Sequence, residues 1–563
     1  MKIRKFPTLI GYAAAALLAV GLAGCFGSGD VGLTAAESCS ALAAAVVSKD
    51  QIGLPTNGAR VTTTTLVAAT STLPEYCQVV GVIAPVDSTT GYDINFRVNL
   101  PTSWNYKAMH FGGGGFNGNV VAGTGLAPSA PPDTTPPLGL GYSTFGSDSG
   151  HPSAVGTTFG SKEESLVNFG HAQLKKTRDV AVQLMTRRYG KSPSKTYWVG
   201  SSQGGREGLT VAQRFPADYD GILVRVPVLN FTGLQIQGWR FGQALAKPGA
   251  WKYASPYVGD ADLKLKTLSE AALAACDAAD GLVDGVIANY RGCGFKAASL
   301  PRCAVGVDLD NCLTDAQINM VDTLHTPMNY GYTVANGLNS YPGWGWGGEN
   351  NPSSGSWPSW VTGSTAAGGT IVTFGNQFVQ NFIAQNPTYD VSTFDPTSTT
   401  WKARIQAVAE IVDSTNPDLS AFFARGGKLI IQELTGDYAR SPFATFNYYD
   451  SVVAKHGQST TDRFVRLYST PGANHSGVGT TPSADGTKAG WRASNIDWVS
   501  VLENWVERGE APAEMLTQVY KGTAAPYTVQ ETRPLCVYPK WPRFNGAPAD
   551  PKLATSYTCM APT

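Results

Sequence analysis

The sequence predicts an α/β protein whose parallel sheet is interrupted by a large inserted domain. Short apolar runs typical of buried strands are followed by helical patterns, as in KTYWV (195–199) and REGLTVAQRF (206–215). Strand, tight turn and helix in that order indicate a parallel sheet. Between residues 229 and 425, Trp, Gly, Asn, Ser and Pro become dense and four cysteines cluster. The strand pattern resumes at KLIIQE (428–433), so we expect the core to continue after the insertion.

Each part of the predicted core carries its own periodicity. Residues 78–100 alternate and are rich in β-branched side chains, which predicts antiparallel strands. Helical periodicity covers 163–189 and ends near Gly190, and residues 495–509 form an amphipathic helical pattern. We expect three segments: a first part of the core at 25–228, the inserted domain at 229–425 and a second part of the core at 426–563.

The N-terminus is typical of an export signal. The basic start MKIRK precedes an apolar run, which LAGC (22–25) closes with small residues before a cysteine. We expect residues 1–24 to be a signal peptide. The LAGC ending resembles a bacterial lipoprotein box, in which Cys25 becomes the lipidated first residue; the alternative is an ordinary secretory signal. Since no later run is long and apolar enough to span a bilayer, we expect an exported protein that is secreted or held at the bacterial cell envelope only by this lipid anchor.

The charge balance and the number of cysteines indicate which partners and which cysteine chemistry to expect. Lys plus Arg and Asp plus Glu are both 42, so no charge bias favours nucleic acid or a polyanionic substrate. Nine cysteines less Cys25 leave eight, an even number that favours disulfides in an exported chain. Sequence alone does not fix the pairing, but neighbourhood suggests four local bridges: Cys39 with Cys77, Cys276 with Cys293, Cys303 with Cys312, and Cys536 with Cys559.

A candidate nucleophile lies in GSSQGG (200–205), which satisfies the G-x-S-x-G pattern at Ser202. The pattern alone is weak in a chain with 63 glycines, but a nucleophile elbow also needs a strand before it and a helix after it. KTYWV and REGLTVAQRF supply both. We therefore predict that Ser202 is a catalytic nucleophile; the alternative is a structural turn serine.

A serine nucleophile needs a base, which follows it in the chain order typical of nucleophile elbows. Of the six histidines, three lie after Ser202. His475 follows the strand-type run RFVRLYS (463–469) in the flexible stretch PGANHSG, whereas His325 falls in the insertion and His456 ends a helical run. We predict that His475 is the base and that the other two are solvated or packing residues.

The base is oriented by a carboxylate, for which Asp437 is the candidate. It follows the strand KLIIQE in a loop at the strand's carboxyl end, where catalytic groups gather in open α/β sheets. Glu433 lies inside that strand, and we predict that Asp450 and Asp462 are surface carboxylates.

Two backbone N–H groups are expected to form an oxyanion hole. One belongs to the residue after the nucleophile, Gln203. The other is expected from Gly115 in FGGGGFNG (111–118), a stretch whose backbone is permissive; a plain turn is the alternative.

Ordered motifs over nearly the whole mature chain resemble the tannase and feruloyl esterase family, which also contains the monohydroxyethyl terephthalate hydrolases. The motifs are GGGGFNG (112–118), SDSGH (147–151), GSSQGGREGL (200–209), RFPADYDGI (214–222), CDAADGLVDGVI (276–287), RGGKLI (425–430), TGD (435–437), PGANH (471–475), WVERGEAP (505–512) and RPLCVYP (533–539). The resemblance implies an α/β-hydrolase fold with a large lid domain, and it implies the same triad and oxyanion hole. It also implies a serine esterase that acts on esters of aromatic acids.

The chain departs from the family beside the triad. Family members usually have a cysteine just before the nucleophile and another just after the catalytic histidine, joined by a disulfide; here these positions are Ser201 and Ser476. A disulfide contributes about 2–4 kcal/mol and a hydrogen bond between two serines only about 1 kcal/mol. We therefore expect a less thermally stable site in which the triad geometry is retained.

A structural calcium site is expected in CDAADGLVDGVI. Asp277, Asp280 and Asp284 fall within eight residues, and such carboxylates repel one another unless they are solvated or bind a cation. Ca²⁺ prefers hard oxygen ligands of this kind. The resemblance implies a lid site in which the three aspartates act with the backbone carbonyl groups of Leu282 and Val286; a solvated acidic turn is the alternative.

The expected substrate is a small aromatic ester. Esters of the feruloyl or galloyl type come first. A terephthalate monoester comes second, because Gln377 stands roughly where enzymes for that substrate carry an arginine for the free carboxylate. The hypothesis from a different class is a lipid-anchored binding protein without turnover. The oligomeric state is left open by the sequence.

Overall fold

The computed structural model describes residues 33–251, 263–349, 351, 355–363, 368–481, 490–522 and 524–562. The predicted signal peptide and Cys25 lie outside these residues. Within them, no helix has the length and apolar character needed to cross a membrane.

A ten-stranded mixed sheet forms the centre of the molecule. The strands of the chain are β1 Val46–Val47, β2 Ala59–Val67, β3 Tyr76–Ile83, β4 Ile94–Pro101, β5 Lys107–Phe111, β6 Ser143–Ser147, β7 Lys195–Ser201, β8 Gly221–Arg225, β9 Met328–Asn329, β10 Ser340–Tyr341, β11 Lys428–Leu434, β12 Val465–Thr470, β13 Val478–Thr481, β14 Gly490–Asn495, β15 Met515–Lys521, β16 Val529–Cys536, β17 Trp541–Phe544 and β18 Tyr557–Met560. The order across the large sheet is β1-β2-β3-β4-β6-β5-β7-β8-β11-β12.

One half of this sheet is antiparallel and the other is parallel. The pairs from β1 through β4 and the pair β4–β6 are antiparallel, which confirms the strands predicted within 78–100. The pairs from β6–β5 to β11–β12 are parallel. A parallel sheet that continues on both sides of an insertion confirms the α/β class.

Helices cover both faces of the parallel strands. Their bounds are α1 Ala35–Ser40, α2 Glu163–Val167, α3 Gln173–Tyr189, α4 Gln203–Arg214, α5 Phe231–Leu245, α6 Leu263–Cys276, α7 Asp315–His325, α8 Thr370–Phe378, α9 Thr399–Val412, α10 Ser420–Ala424, α11 Pro442–His456, α12 Gln458–Thr461 and α13 Trp498–Arg508. Because successive strand residues point to opposite faces, Trp198 and Ile222 pack with α4 and α11, whereas Tyr197 and Leu223 pack with α13. The amphipathic helix predicted at 495–509 is α13.

The helix predicted over 163–189 contains a π-helical turn. Asn168–Ala172 separates α2 from α3, and α3 ends at Gly190, whose φ is 70°. The widened turn has a partner, because the guanidinium of Arg206 donates to Phe169 O and Gly170 O at 2.8 Å each. A side chain from the next helix therefore stabilises backbone carbonyl groups that a regular helix would satisfy internally.

The segment between β8 and β11 includes residues 229–425, which are expected to form the lid and are called the lid below. It contains α5 to α10 and the hairpin β9–β10. Its hydrophobic cluster includes Leu268, Leu324 and Phe378, and Phe159 and Phe169 of the core join the same cluster. The lid therefore rests on the core through apolar contacts. Residue 229 lies in the loop between β8 and α5, and residue 425 directly follows α10.

Four disulfides join the pairs that the sequence suggests. They are Cys39–Cys77, Cys276–Cys293, Cys303–Cys312 and Cys536–Cys559. The last lies in a C-terminal region built from the sheet β13-β14-β15-β16 and the hairpin β17–β18. Two of the four bridges belong to the lid, where the chain has few long strands.

Candidate active site

The candidate nucleophile lies on a strained turn between β7 and α4. Ser202 has φ 60° and ψ −118°, a conformation that is costly for a residue with a side chain. Ser202 N donates to Arg225 O at 3.0 Å, and Val228 N donates to Ser202 O at 3.3 Å. These bonds hold the turn in place. The Ser202 hydroxyl forms no hydrogen bond within the described part of the chain.

Glycines around Ser202 permit the close packing that this turn needs. A Cβ on Gly204 would lie 2.9 Å from Gly113 O, and a Cβ on Gly200 would lie 2.3 Å from Gly204 O. Gly204 N also donates to Gly113 O at 3.0 Å. Helix α4 therefore begins in direct contact with the glycine loop, residues 112–118.

The candidate base and acid are hydrogen-bonded to each other. His475 Nδ1 lies 2.7 Å from Asp437 Oδ2, and the Asp437 side chain is fully buried. Ala439 N donates to Asp437 Oδ1 at 2.8 Å. With Nδ1 engaged by the carboxylate, His475 Nε2 is left without a partner among the described residues.

Glu433, the alternative acid, has a different partner. It forms a buried ion pair with Arg440, whose Nε also lies 3.5 Å from Asp437 Oδ2. Burial raises the pKa of Glu433 to about 7; the Arg440 charge opposes the rise and the Asp437 charge adds to it. Arg440 thus spans two buried carboxylates and helps to keep Asp437 in position.

The glycine loop brings Gly115 to the same site. Gly115 has φ 58° in a turn that Asn117 N closes by donating to Gly114 O at 2.8 Å. Within the described ranges, neither Gly115 N–H nor Gln203 N–H donates to another protein group. Two unpaired N–H groups beside a nucleophile are the donors that an oxyanion requires.

A buried carboxylate fixes the glycine loop to the nucleophile helix. Glu207 in α4 accepts hydrogen bonds from Gly113 N at 3.0 Å and from Asn117 Nδ2 at 2.7 Å. Burial raises the pKa of Glu207, while the Arg206 charge and these hydrogen bonds oppose the rise. Because Ser202 precedes the same helix, Glu207 couples the position of the loop to that of the serine.

An apolar pocket opens at Ser202. Its apolar lining comes from the start of the lid and from the region of α8: Val228, Phe231, Leu234, Trp360, Ile371 and Phe374. Gly115 and Ala439 line the pocket as well. The Trp360 ring packs edge-on against the ring of His475, with centroids 5.1 Å apart. The pocket therefore includes Ser202 itself, Trp360 in contact with His475, and Ala439 two residues after Asp437.

Ser201 and Ser476, at the positions of the family's disulfide, are not hydrogen-bonded to each other in the described structure. Instead, Ser201 Oγ accepts from Arg225 Nε at 3.0 Å, and Arg225 Nη1 donates to Ser129 Oγ at 3.2 Å. A Cβ on Gly477 would lie 3.1 Å from Arg225 Nη1. The guanidinium therefore fills the space between the end of β7 and the loop that carries His475, residues 471–477, called the histidine loop below.

The other candidates from the sequence lie outside the pocket. The His325 ring stacks on a tryptophan, and His456 accepts a backbone N–H. Asp450 and Asp462 form solvent-accessible ion pairs with arginines. Gln377 belongs to α8 but does not line the pocket.

The predicted calcium ligands lie in a compact acidic loop, residues 276–293. Asp277 Oδ2 accepts Gly285 N at 2.9 Å, and Asp280 Oδ2 accepts Ala288 N at 2.8 Å. Asp284 forms an ion pair with Arg533, with 2.8 Å between Oδ2 and Nη2. Of the three carboxylates, only Asp284 is paired with a guanidinium in the described structure, and Arg533 also pairs with Glu531.

The acidic loop has a small cavity lined by carboxylates, which is one of the features that a calcium site requires. Asp280 and Asp284 line a cavity of about 30 Å³ together with Leu282 and Val286, which is room for one water-sized occupant. Burial raises the pKa of Asp277 to about 6 and that of Asp280 to about 7. No three Asp, Glu, His or Cys side chains of the described residues converge on one metal position. A cation here would therefore depend on backbone carbonyl groups as well as carboxylates.

Comparison with known proteins gives concordant matches. The sequence profile of tannase and feruloyl esterase matches residues 77–560. An uncharacterized esterase of Agrobacterium fabrum is 34% identical over 538 residues, which cover 93% of each chain. The mono(2-hydroxyethyl) terephthalate hydrolase of Piscinibacter sakaiensis is 31% identical over 550 residues, 88% of this chain and 86% of that protein. The crystal structure of feruloyl esterase B from Aspergillus oryzae superposes with a TM-score of 0.73 at 23% identity, over 93% of this chain and 99% of that one.

The sheet order, the inserted lid and the structural likeness define a protein of the α/β-hydrolase fold. The chain belongs to the tannase and feruloyl esterase family. It is a carboxylic ester hydrolase, as its named relatives are. The fold and family that the sequence predicts are thereby confirmed.

Several residues of the site were not among those predicted from the sequence, and three of them matter for the argument. Glu207 holds the glycine loop, Arg225 lies between β7 and the histidine loop, and Gln235 lines the pocket. The first two have a weak sequence signal: Glu207 and its neighbour Arg206 are charged residues between glycines in GREGL, and Arg225 is the one charged residue of GILVRVP. Gln235 has no such signal, because glutamine is common on helices that face solvent.

Proposed function

We propose that the protein hydrolyses esters of aromatic acids through a triad of Ser202, His475 and Asp437. The observation that carries the proposal is a convergence on one pocket. Ser202 lies there on a strained turn, and the hydrogen-bonded pair of His475 and Asp437 packs against Trp360, which lines the same pocket. Because Asp437 engages Nδ1, Nε2 is the nitrogen left to act as a base.

The chemistry follows the two stages of a serine hydrolase. Ser202 Oγ attacks the ester carbonyl while His475 takes its proton, and the N–H groups of Gly115 and Gln203 stabilise the oxyanion. His475 then protonates the leaving alcohol. In the second stage His475 deprotonates a water molecule, which attacks the acyl-enzyme; His475 then returns the proton to Ser202 Oγ as the acid is released. Asp437 stabilises the imidazolium in both stages.

The lining of the pocket supports an aromatic acyl group. Phe231, Phe374 and Trp360 supply ring surfaces against which a flat group packs. No Lys or Arg is present among the described residues of the lining, so the free carboxylate of a terephthalate monoester would lack a cation. Feruloyl and galloyl esters therefore come first. The named activity of the Piscinibacter sakaiensis relative keeps terephthalate monoesters as the second candidate.

We also propose that the acidic loop binds Ca²⁺ as a structural ion. Asp277, Asp280 and Asp284, whose side chains do not converge on one position in the structure, would have to close around the ion together with the carbonyl groups of Leu282 and Val286. The excess of carboxylates over guanidinium groups and the small cavity support this proposal. The bound ion would compensate the carboxylate charges and stiffen the loop, and no step of ester hydrolysis involves it.

Export and a lipid anchor at Cys25 are proposed from the N-terminal sequence alone. Replacing Cys25 with Ser is expected to move the protein from the membrane fraction of the producing bacterium to the soluble envelope fraction or the medium. Immunoblots of the separated fractions provide the measurement, and a Cys25→Ser protein that stays in the membrane fraction would exclude the anchor.

The central test is an ester panel on the mature chain without Cys25. The substrates are methyl ferulate, methyl gallate, mono(2-hydroxyethyl) terephthalate and a short aliphatic nitrophenyl ester. We expect selective hydrolysis of an aromatic ester by the wild-type protein and its loss in Ser202→Ala. Hydrolysis that persists in a folded Ser202→Ala protein would overturn the triad.

The alternative of a different class, a binding protein without turnover, predicts a different result with a fluorophosphonate probe. The proposed enzyme should be labelled at Ser202, because the probe reacts only with an activated serine. A binding protein would stay unlabelled although it retains an aromatic ligand.

A further inference from the structure

Helix α5 brings one amide to the wall of the pocket. Phe231, Leu234 and Gln235 are spaced i, i+3 and i+4, so they share a face of the helix, and all three line the pocket beside Ser202. Gln235 lies one helical turn, about 5.4 Å, beyond Phe231. The helix begins shortly after Val228, whose N–H donates to the carbonyl oxygen of Ser202. Gln235 is therefore set back from the reacting serine.

The Gln235 amide is unpaired although the residue is buried. Only 3% of Gln235 is exposed, and no hydrogen bond joins its side chain to a described residue. Its amide atoms are not among the unpaired atoms that lack solvent-accessible surface. They are therefore accessible from the pocket that Gln235 lines. Gln237, two residues along the helix, is satisfied, because its Nε2 donates to Thr323 O at 2.8 Å. An amide that no protein group pairs but that reaches the pocket is available to a ligand that supplies a donor and an acceptor, and a ligand that supplies neither would bury it unpaired at a cost.

The backbone of Gln235 is fixed against helix α8. A Cβ on Gly238 would lie 2.2 Å from Ile371 O, and a Cβ on Gly375 would lie 2.5 Å from Gln235 O. These glycines bring the two helices into direct contact. Helix α8 contributes Ile371 and Phe374 to the pocket. The backbone of Gln235 is therefore held in a fixed position relative to these two side chains.

The surroundings of the amide are aromatic. The Phe116 ring packs edge-on against Phe374, with centroids 4.9 Å apart, and against Phe231 at 5.7 Å. A flat ring bound beside these residues would meet Gln235 as the one side-chain amide of the described lining, whose other polar side-chain groups are the Ser202 hydroxyl and the indole N–H of Trp360.

We propose that Gln235 is a specificity-determining residue that hydrogen-bonds a hydroxyl group on the aromatic ring of the acyl group. This inference rests on the proposed function of the site. An amide offers a donor and an acceptor, and a phenolic hydroxyl offers the complement of each while staying uncharged. A carboxylate would use only the amide N–H and would bring a buried charge without a counter-ion. Gln235 therefore favours hydroxyaryl esters over unsubstituted and over carboxylated ones.

The test compares methyl 4-hydroxycinnamate and methyl 3-hydroxycinnamate with methyl cinnamate. In the wild-type protein, kcat/KM for the better hydroxylated ester should exceed that for methyl cinnamate by about tenfold or more. Gln235→Met keeps the side-chain length and removes hydrogen bonding, so the ratio should fall to about one. Gln243→Met makes the same exchange on the same helix outside the pocket, and it should keep the wild-type ratio.

The outcomes separate this inference from the proposed function. A ratio that is equal in the wild type and in a folded Gln235→Met protein would overturn the inference while ester hydrolysis itself stands. Hydrolysis of no ester would instead contradict the proposed function. In that case the dissociation constants of the same esters are measured on Ser202→Ala with and without Gln235→Met. A hydroxyl preference that Gln235→Met removes supports the inference, and a preference that is absent or unaffected overturns it.

Discussion

At the scale of single residues, Arg225 lies where family members usually join two catalytic loops by a disulfide. Its guanidinium donates to Ser201, the neighbour of Ser202, and it packs against Gly477, two residues after His475. Burial lowers the pKa of Arg225 to about 10, and the charge of Asp437 opposes that fall. The guanidinium therefore contacts the strand that precedes Ser202 and the histidine loop. Its charge also interacts with the charge of Asp437.

We expect Arg225→Met to impair positioning more than binding. Without the guanidinium, the end of β7 and the histidine loop lose their shared contact, and misplacement of a reacting group lowers the rate of the chemical step. The expected result is a fall in kcat of about tenfold with little change in KM. Steady-state kinetics on the preferred ester measure both, and the melting temperature reports on the fold.

A disulfide at the two serines provides the control for this role. In the Arg225→Met background, Ser201→Cys with Ser476→Cys should restore part of the lost kcat and raise the melting temperature once mass spectrometry shows the bond, since a cross-link contributes about 2–4 kcal/mol. Reduction of the bond should reverse both gains. A bond that forms without changing either quantity would show that the two loops do not need a shared contact.

The residues of the site differ in how far the sequence reveals them. Ser202, Asp437 and His475 each follow a strand-type run, so a local pattern is enough to select them. Arg225 acts on partners that lie 24 and 96 residues away in sequence. Gln235 acts on a cavity that exists only after the lid has packed on the core. Such roles depend on tertiary contacts, which no local pattern encodes.

At the scale of elements, the glycine loop and helix α4 form one unit. Their backbones touch at Gly113 and Gly204, and Glu207 accepts hydrogen bonds from both ends of the loop's turn. The loop has little side-chain packing of its own, because most of its residues are glycine. Backbone hydrogen bonds hold the two ends of the loop, and Glu207 is the carboxylate of α4 that fixes its turn.

Glu207→Gln should weaken oxyanion stabilisation. Gly113 N donates to one carboxylate oxygen and Asn117 Nδ2 to the other, and the amide has an acceptor at only one of these two positions, so one of the two bonds is lost. Because the oxyanion exists only beyond the ground state, kcat should fall by about a hundredfold while KM changes little. The same kinetic assay checks this result. A loss confined to KM would place Glu207 in substrate binding instead.

The acidic loop is a second element that can be tested. If Ca²⁺ stabilises it, removal of the ion should lower the melting temperature. If Ca²⁺ binds the folded loop and not the unfolded chain, EDTA should lower the melting temperature by about 2–5 °C, and added Ca²⁺ should restore it. The disulfide Cys276–Cys293 keeps the loop closed without the ion, so kcat well below the transition should be unchanged. Calorimetry and elemental analysis provide the measurements.

A variant of the loop gives the control for chelation. Asp280→Asn removes one proposed ligand, and its melting temperature should respond less to EDTA than that of the wild type. Metal-free protein with the same melting temperature in EDTA and in Ca²⁺ would contradict the proposal.

At the scale of the whole molecule, the core and the lid meet around Arg206. Its guanidinium donates to the π-helical turn of the core and to Val412 O, at the end of α9 in the lid, at 2.7 Å. The next residue, Asp413, accepts the N–H of Thr232 at 2.8 Å, in the first turn of α5. Two adjacent residues at the end of one lid helix thus bind the nucleophile helix and the start of the lid.

This junction also shows where prediction of the fold from sequence stops. The core could be predicted because strand and helix alternate, and the lid could be delimited because its composition changes. The packing of the lid could not, since its cluster unites residues from Val228 to Ala444 with Phe159 and Phe169 of the core. The π-helical turn was missed for the same reason, because its carbonyl groups are satisfied by Arg206 from another helix.

The junction predicts how stability depends on pH. Asp413 is 4% exposed, and its Oδ2 has no hydrogen-bond partner. Burial raises the pKa of Asp413 to about 7, and the hydrogen bonds with Thr232 and the charge of Arg206 oppose the rise; the buried Tyr330 also faces it. The pKa of an aspartate in the unfolded chain is about 3.9. Between about pH 4 and pH 7 the folded protein therefore holds a proton that the unfolded chain has lost, so this residue's contribution to the free energy of unfolding falls as pH rises through that window.

Asp413→Asn should remove that dependence. The amide keeps an acceptor for Thr232 N and has no charge to bury, so the variant should match the wild type near pH 4 and exceed its melting temperature by about 1–3 °C at pH 8. Calorimetric scans at pH 4, 6 and 8 provide the comparison, with Asp93→Asn, an exposed carboxylate, as the control. A difference between Asp413→Asn and the wild type that stays constant across the three pH values would mean that Asp413 is ionised throughout, held so by Arg206 across the junction of core and lid.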